Sequence, residues 1–137
     1  ITDRLGDDLS GKKIAIWGLA FKPETDDVRE ASALVMIRGL LALNATIAAF
    51  DPEAIETTKV ELGALSTELE FTEDMYKAVA NADALLVMTE WKQFRQPDLS
   101  RLATELKEKI IFDGRNIYDP ANVAEHGMDY VGIGRKS

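Results

Sequence analysis

The chain has 137 residues, of which 46% are apolar and 29% are charged, a balance typical of one globular domain with a substantial core. Its net charge of −8 argues against nucleic acid or an anionic membrane as a partner, since no sustained basic surface is present. Because it has no cysteine, disulfides, thiolate metal sites and a cysteine nucleophile are excluded within this chain.

The first ten residues are polar and show no hydrophobic periodicity. We expect residues 1–10 to be a linker from a preceding part of a longer polypeptide, and residues 11–137 to form the domain. The start of the chain has neither the basic residues nor the apolar core of a signal peptide, and no apolar run reaches membrane-spanning length. A cytoplasmic protein is therefore expected.

The first predicted strand, at residues 14–17, is a short apolar run that reads as buried on both faces. Asp27 and Glu30 fit a capping box, which predicts a helix start at the end of the following loop. This helix, at residues 31–43, is apolar around nearly its whole circumference, with Arg38 as the main exception. A helix of this kind must be covered on more than its sheet-facing side.

The rest of the chain alternates between apolar runs and helical patterns. Strands are predicted at residues 46–50, 69–71, 84–88, 110–113 and 128–132. Helices are predicted at residues 53–62, 72–79, 98–106 and 120–125. This alternation predicts an α/β fold, a doubly wound Rossmann-like parallel sheet in a single domain. The ligand crevice of such a sheet lies at the carboxyl ends of the strands, where the strand order reverses.

The loop after the first strand would carry a GxGxxG pattern if this domain held a dinucleotide pyrophosphate. It reads Gly18-Leu19-Ala20-Phe21-Lys22-Pro23 instead, which disfavours dinucleotide binding by this domain. Asp51 stands where such folds place the acid that bonds a ribose hydroxyl. We favour the simpler interpretation that Asp51 is a helix N-cap, followed by Pro52 at the first helical position.

Two cations lie on loops that the parallel topology brings to one edge of the sheet. Lys22 and Arg115 would combine an ammonium and a guanidinium group, a pair suited to phosphate or to sugar hydroxyls. Neutralisation of nearby acids such as Glu24 and Asp113 also explains them, and composition alone slightly favours this second interpretation. Phe21 could stack on a ligand ring or cover the top of the core.

Arg29 lies in the first turn of a predicted helix, where the helix dipole disfavours a cation. Its partner is either a neighbouring aspartate or an external anion. Trp91 is expected to cover the core and Glu90 to be a surface acid, while His126, the only histidine, is expected to be a solvated loop residue. No metal-binding and no catalytic constellation is found in the sequence.

Three separated motifs point to one family. They read GLAFKPETDDVRE at residues 18–30, FDP at 50–52 and FDGRN at 112–116, with TEW at 89–91 between them. Together they resemble the C-terminal domain of the UDP-glucose dehydrogenases, in a wider family with the GDP-mannose and UDP-N-acetylmannosamine dehydrogenases. The resemblance implies an enzyme that oxidises the sugar C6 alcohol to a carboxylate in two NAD-dependent steps, through a thiohemiacetal and a thioester on a cysteine.

The resemblance also implies roles for particular residues. Phe21, Lys22 and Arg115 match positions that contact the UDP-sugar, and Arg29 matches an arginine that reaches NAD bound mainly by an N-terminal domain. The implied partners are the UDP-sugar, the N-terminal and central domains of the same polypeptide, and further copies in a homo-oligomer. Part of the helix at residues 31–43 is expected to pack against those absent domains. Without the dinucleotide fingerprint and the cysteine, this chain alone is expected to be inactive.

Three alternatives remain open from the sequence. The first is the same domain of a related UDP- or GDP-sugar dehydrogenase. The second is a nucleotide-binding or regulatory module that never catalyses, which a natural gene product without a dehydrogenase domain would favour. The third is an NAD-binding Rossmann protein in its own right, which would require measurable NAD affinity in this chain.

Overall fold

The computed structural model describes residues 10–19, 32–88, 94, 97–107, 109–113 and 118–132. Within these ranges, six strands form one sheet: β1 (Lys13–Trp17), β2 (Thr46–Phe50), β3 (Glu70–Phe71), β4 (Ala84–Val87), β5 (Ile110–Asp113) and β6 (Asp129–Gly132). The α-helices are α1 (Ser32–Ala42), α2 (Ile55–Leu62), α3 (Met75–Val79), α4 (Leu99–Glu105) and α5 (Pro120–Glu125). A 3₁₀ helix, Gly63–Glu68, follows α2.

All strand pairs are parallel, and the strand order is β3-β2-β1-β4-β5-β6. From β1 the chain moves outward to β2 and β3, then returns to the other side of β1 and moves outward again through β4, β5 and β6. The order therefore reverses between β1 and β4. The predicted doubly wound, Rossmann-like α/β fold is confirmed.

Each predicted strand is present, with bounds that differ by one residue at most. The start of α2 is a correction, because the helix begins at Ile55 and its N-cap residue is Ala54, not Asp51. The carboxylate of Asp51 closes a separate turn over residues 52–54, and this turn delays the helix. Similarly, α3 begins only at Met75, because Asp74 takes the N-cap position.

Two apolar layers cover the sheet. In β1, Ile14 and Ile16 pack into one layer with α1, whereas Ala15 and Trp17 pack into the other with α3 and α4. All four side chains are fully buried. This arrangement explains the continuous apolar runs of the central strands, because a parallel sheet covered on both faces has no polar side.

One side of α1 remains uncovered. Leu34, Ile37 and Leu40 face the sheet and are buried, but the side chain of Val35 is 68% exposed and Arg38 is also exposed. The domain therefore does not cover this apolar helix by itself. Docking of the helix against another part of a longer polypeptide, which requires such a surface, stays a prediction. No helix in the described ranges is long and apolar enough to cross a bilayer.

Candidate functional site

The carboxyl ends of four strands stand in one row at the edge where the strand order reverses. Trp17, the last residue of β1, is in register with Phe50 of β2 on one side and with Val87 of β4 on the other, and Val87 is in register with Asp113 of β5. With neighbouring strands about 4.8 Å apart, this row is roughly 14 Å long. The loops that carry the predicted site residues leave from it.

The chain turns sharply at the start of the first of these loops. Gly18 has a φ of 99°, in a region that favours glycine, and its N–H donates to the carbonyl oxygen of Phe50 at 2.8 Å. The loop is thus tied to the end of the neighbouring strand β2 at its first residue. A residue with a side chain would strain this turn. The turn itself therefore accounts for the glycine, and no bound pyrophosphate is needed to explain it.

The four predicted site residues lie outside the described residues. Phe21, Lys22 and Arg29 belong to the interval 20–31, and Arg115 belongs to the interval 114–117. Their roles therefore stay predictions. The described residues that flank these intervals show instead how the loops are attached to the sheet.

Asp51, at the end of β2, holds the first loop through its side chain. Its carboxylate is 2% exposed and accepts three backbone N–H groups. Oδ2 accepts the N–H of Leu19 at 2.8 Å, and Oδ1 accepts those of Glu53 and Ala54, each at 2.8 Å. The bonds to Glu53 and Ala54 close the turn before α2 and are not helix-capping bonds, and the contact with Leu19 was not predicted. These backbone bonds account for a buried acid at this position without a ribose contact.

Asp113, at the end of β5, plays a comparable part at the other end of the row. The residue is fully buried, and its Oδ2 accepts the backbone N–H of Tyr118 at 3.0 Å and the hydroxyl of Tyr130 at 2.9 Å. The bond to Tyr118 spans the interval that contains Arg115. Both strand-end aspartates thus bind the backbone of a loop that carries predicted site residues.

A cluster of aromatic side chains lies beneath the same edge. The ring of Phe94, fully buried, stacks on that of Trp17 with a centroid distance of 5.2 Å and meets Phe50 edge-on at 6.0 Å. The hydroxyl of Tyr118 donates to the carbonyl oxygen of Phe94. The indole N–H of Trp17 donates to the carbonyl oxygen of Met75 at 2.7 Å. Phe94 therefore packs against the last residues of β1 and β2 and is hydrogen bonded to Tyr118.

Burial raises the pKa of the Tyr118 hydroxyl well above its usual value of about 10, and the neighbouring Asp113 carboxylate raises it further. The folded protein therefore keeps this hydroxyl protonated at pH values where the unfolded chain ionises it. The group serves as a hydrogen-bond donor to the carbonyl oxygen of Phe94.

We expect the free energy of unfolding to fall as the pH rises above about 10, because the folded state then binds more protons than the unfolded state. The contribution of Tyr118 is fully present below that pH. In Tyr118→Phe the decline should be shallower, although loss of the hydrogen bond lowers stability at every pH. Urea unfolding at a series of pH values measures both slopes. Equal slopes for the two proteins would contradict the assigned environment of Tyr118.

The remaining candidates have simpler environments. His126 follows α5, and its Nδ1 lies 2.9 Å from the carbonyl oxygen of Asn122, a local contact at a helix end. Glu90 and Trp91 lie outside the described residues. In the ranges that the structure describes, no group of three or more histidine, aspartate or glutamate side chains could hold a metal ion.

Two features of this edge were not predicted from the sequence: the hydrogen bonds of Asp113, and the contact between Tyr118 and Phe94. The position of Asp113 as the last residue of a buried strand was a usable signal, since the carboxyl ends of parallel strands face the ligand crevice. Tyr118 and Phe94 carried no comparable signal. They lie 24 positions apart in sequence, so only the folded chain brings the hydroxyl of one to the carbonyl of the other.

Comparison with known proteins identifies the family of this chain. Residues 15–120 match the family model for the UDP-glucose/GDP-mannose dehydrogenase family, UDP binding domain. The chain is 44% identical over 127 residues to UDP-glucose 6-dehydrogenase of Pseudomonas aeruginosa, an alignment that covers 91% of the chain and 28% of that protein. It is 42% identical over 130 residues to UDP-glucose 6-dehydrogenase of Rhizobium meliloti, with coverage of 95% and 29%.

A solved structure supports the same assignment. The UDP-glucose dehydrogenase of the hyperthermophilic archaeon Pyrobaculum islandicum superposes with a TM-score of 0.78 at 30% identity, covering 98% of this chain and 28% of that one. The chain thus spans less than a third of the length of the curated relatives it matches. On its sequence and its fold, the chain belongs to the UDP-glucose/GDP-mannose dehydrogenase family and corresponds to its UDP binding domain.

Proposed function

We propose that this chain is the UDP-sugar-binding domain of an NAD-dependent dehydrogenase that converts UDP-glucose to UDP-glucuronate. The observation that carries the proposal is the match to the UDP binding domain of the family over residues 15–120. The relatives named UDP-glucose 6-dehydrogenase, which are 42% to 44% identical, favour UDP-glucose over another nucleotide sugar. A related UDP- or GDP-sugar remains the second candidate substrate, since the family description includes GDP-mannose dehydrogenases.

In this proposal the domain binds the nucleotide part of the substrate at the row of strand ends. Lys22 and Arg115 are the polar anchors, and Phe21 packs against the ligand. Because the chain carries a net charge of −8, these cations must bind the diphosphate against the overall field, so each contact has to be close and well oriented. Asp51 and Asp113 support the proposal, because each bonds the backbone beside one of the two loops concerned.

NAD does not fit this edge in the manner of a dinucleotide-binding Rossmann domain. The carboxylate of Asp51 is bonded to three backbone N–H groups, and the first loop lacks the glycine fingerprint. We therefore propose that NAD is held mainly by a part of the protein outside this chain, with Arg29 reaching it from this side. The reacting groups also belong outside this chain, which has no cysteine. The same observations weigh against an NAD-binding protein in its own right.

The test is UDP affinity in the polypeptide that the natural gene encodes, measured by titration calorimetry. Arg115→Ala should raise the dissociation constant for UDP about 10- to 100-fold, because a charge-assisted hydrogen bond is worth roughly 1.5 to 3 kcal/mol. Arg101→Ala is the matched control: Arg101, on α4, is exposed and lies over the ring of Tyr76, and its replacement should leave the affinity unchanged. Unchanged affinity in Arg115→Ala would remove Arg115 from the site.

Activity separates the proposed enzyme from a module that only binds nucleotides. The encoded polypeptide should form NADH from NAD with UDP-glucose, and more slowly or not at all with GDP-mannose. UDP binding without any NADH formation from either sugar would favour the non-catalytic module.

A further inference from the structure

We draw no further inference here: the strongest candidate, the uncovered side of helix α1 that carries Val35 and Arg38, supports none, because nothing in the described part of the chain shows what covers it.

Discussion

Replacing Phe94 by alanine is expected to lower the free energy of unfolding by about 3 to 5 kcal/mol, the range for large aromatic side chains removed from a core. The ring is fully buried between Trp17 and Phe50, and its carbonyl oxygen accepts the hydroxyl of Tyr118. The variant loses the apolar burial, leaves a cavity and frees the segment after β4 from the ends of β1 and β2.

Urea unfolding measures this change. Phe94→Leu, which refills part of the volume, should lose clearly less, and Val35→Ala, at an exposed position on α1, should change stability by less than about 0.5 kcal/mol. A loss in Phe94→Ala no larger than that in Val35→Ala would mean that Phe94 does not anchor this segment.

Asp51→Ala should cost about 3 kcal/mol or more, because three backbone N–H groups lose their acceptor and a buried unsatisfied donor costs roughly 1 to 3 kcal/mol. Two of these hydrogen bonds, those from Leu19 and Ala54, are buried. The loss also releases the start of the loop that carries Lys22, so UDP affinity should fall together with stability.

Asp74→Ala is the matched control for this second change. The Asp74 side chain likewise accepts the N–H groups two and three residues ahead, from Tyr76 and Lys77, but these two bonds are exposed and local. Loss of such an exposed N-cap costs about 1 kcal/mol. If urea unfolding gives equal losses for the two variants, the burial of Asp51 and its bond to Leu19 contribute nothing to stability.

The sequence was sufficient for the architecture because parallel strands buried on both faces are continuous apolar runs, and such runs are visible without knowledge of their neighbours. The ends of the helices were harder to predict from the sequence than the strands. The position of Asp51 before a proline predicted an N-cap, but its carboxylate bonds the N–H groups of a turn, and α2 starts only at Ile55. A local pattern indicates which groups an aspartate can bond but not where the following helix begins.

The candidate site could be predicted only in part from the sequence, because sequence patterns are local. The motifs around Lys22 and Arg115 are contiguous stretches, so a single chain is enough to identify them and the family they resemble. Their attachments are not contiguous. The bond from Leu19 to Asp51 spans 32 positions, and that from Tyr130 to Asp113 spans 17.

The sequence by itself thus determined the fold class and the family, and it predicted the edge of the sheet at which the candidate site lies. Only the tertiary structure decided what the strand-end aspartates do. Asp51, which by position could bond a ribose, accepts the backbone N–H of Leu19, and Asp113 accepts that of Tyr118, the residue that follows the interval containing Arg115. The physical reason is that propensity and hydrophobic pattern are local properties, whereas the partner of a buried carboxylate is set by which strands become neighbours.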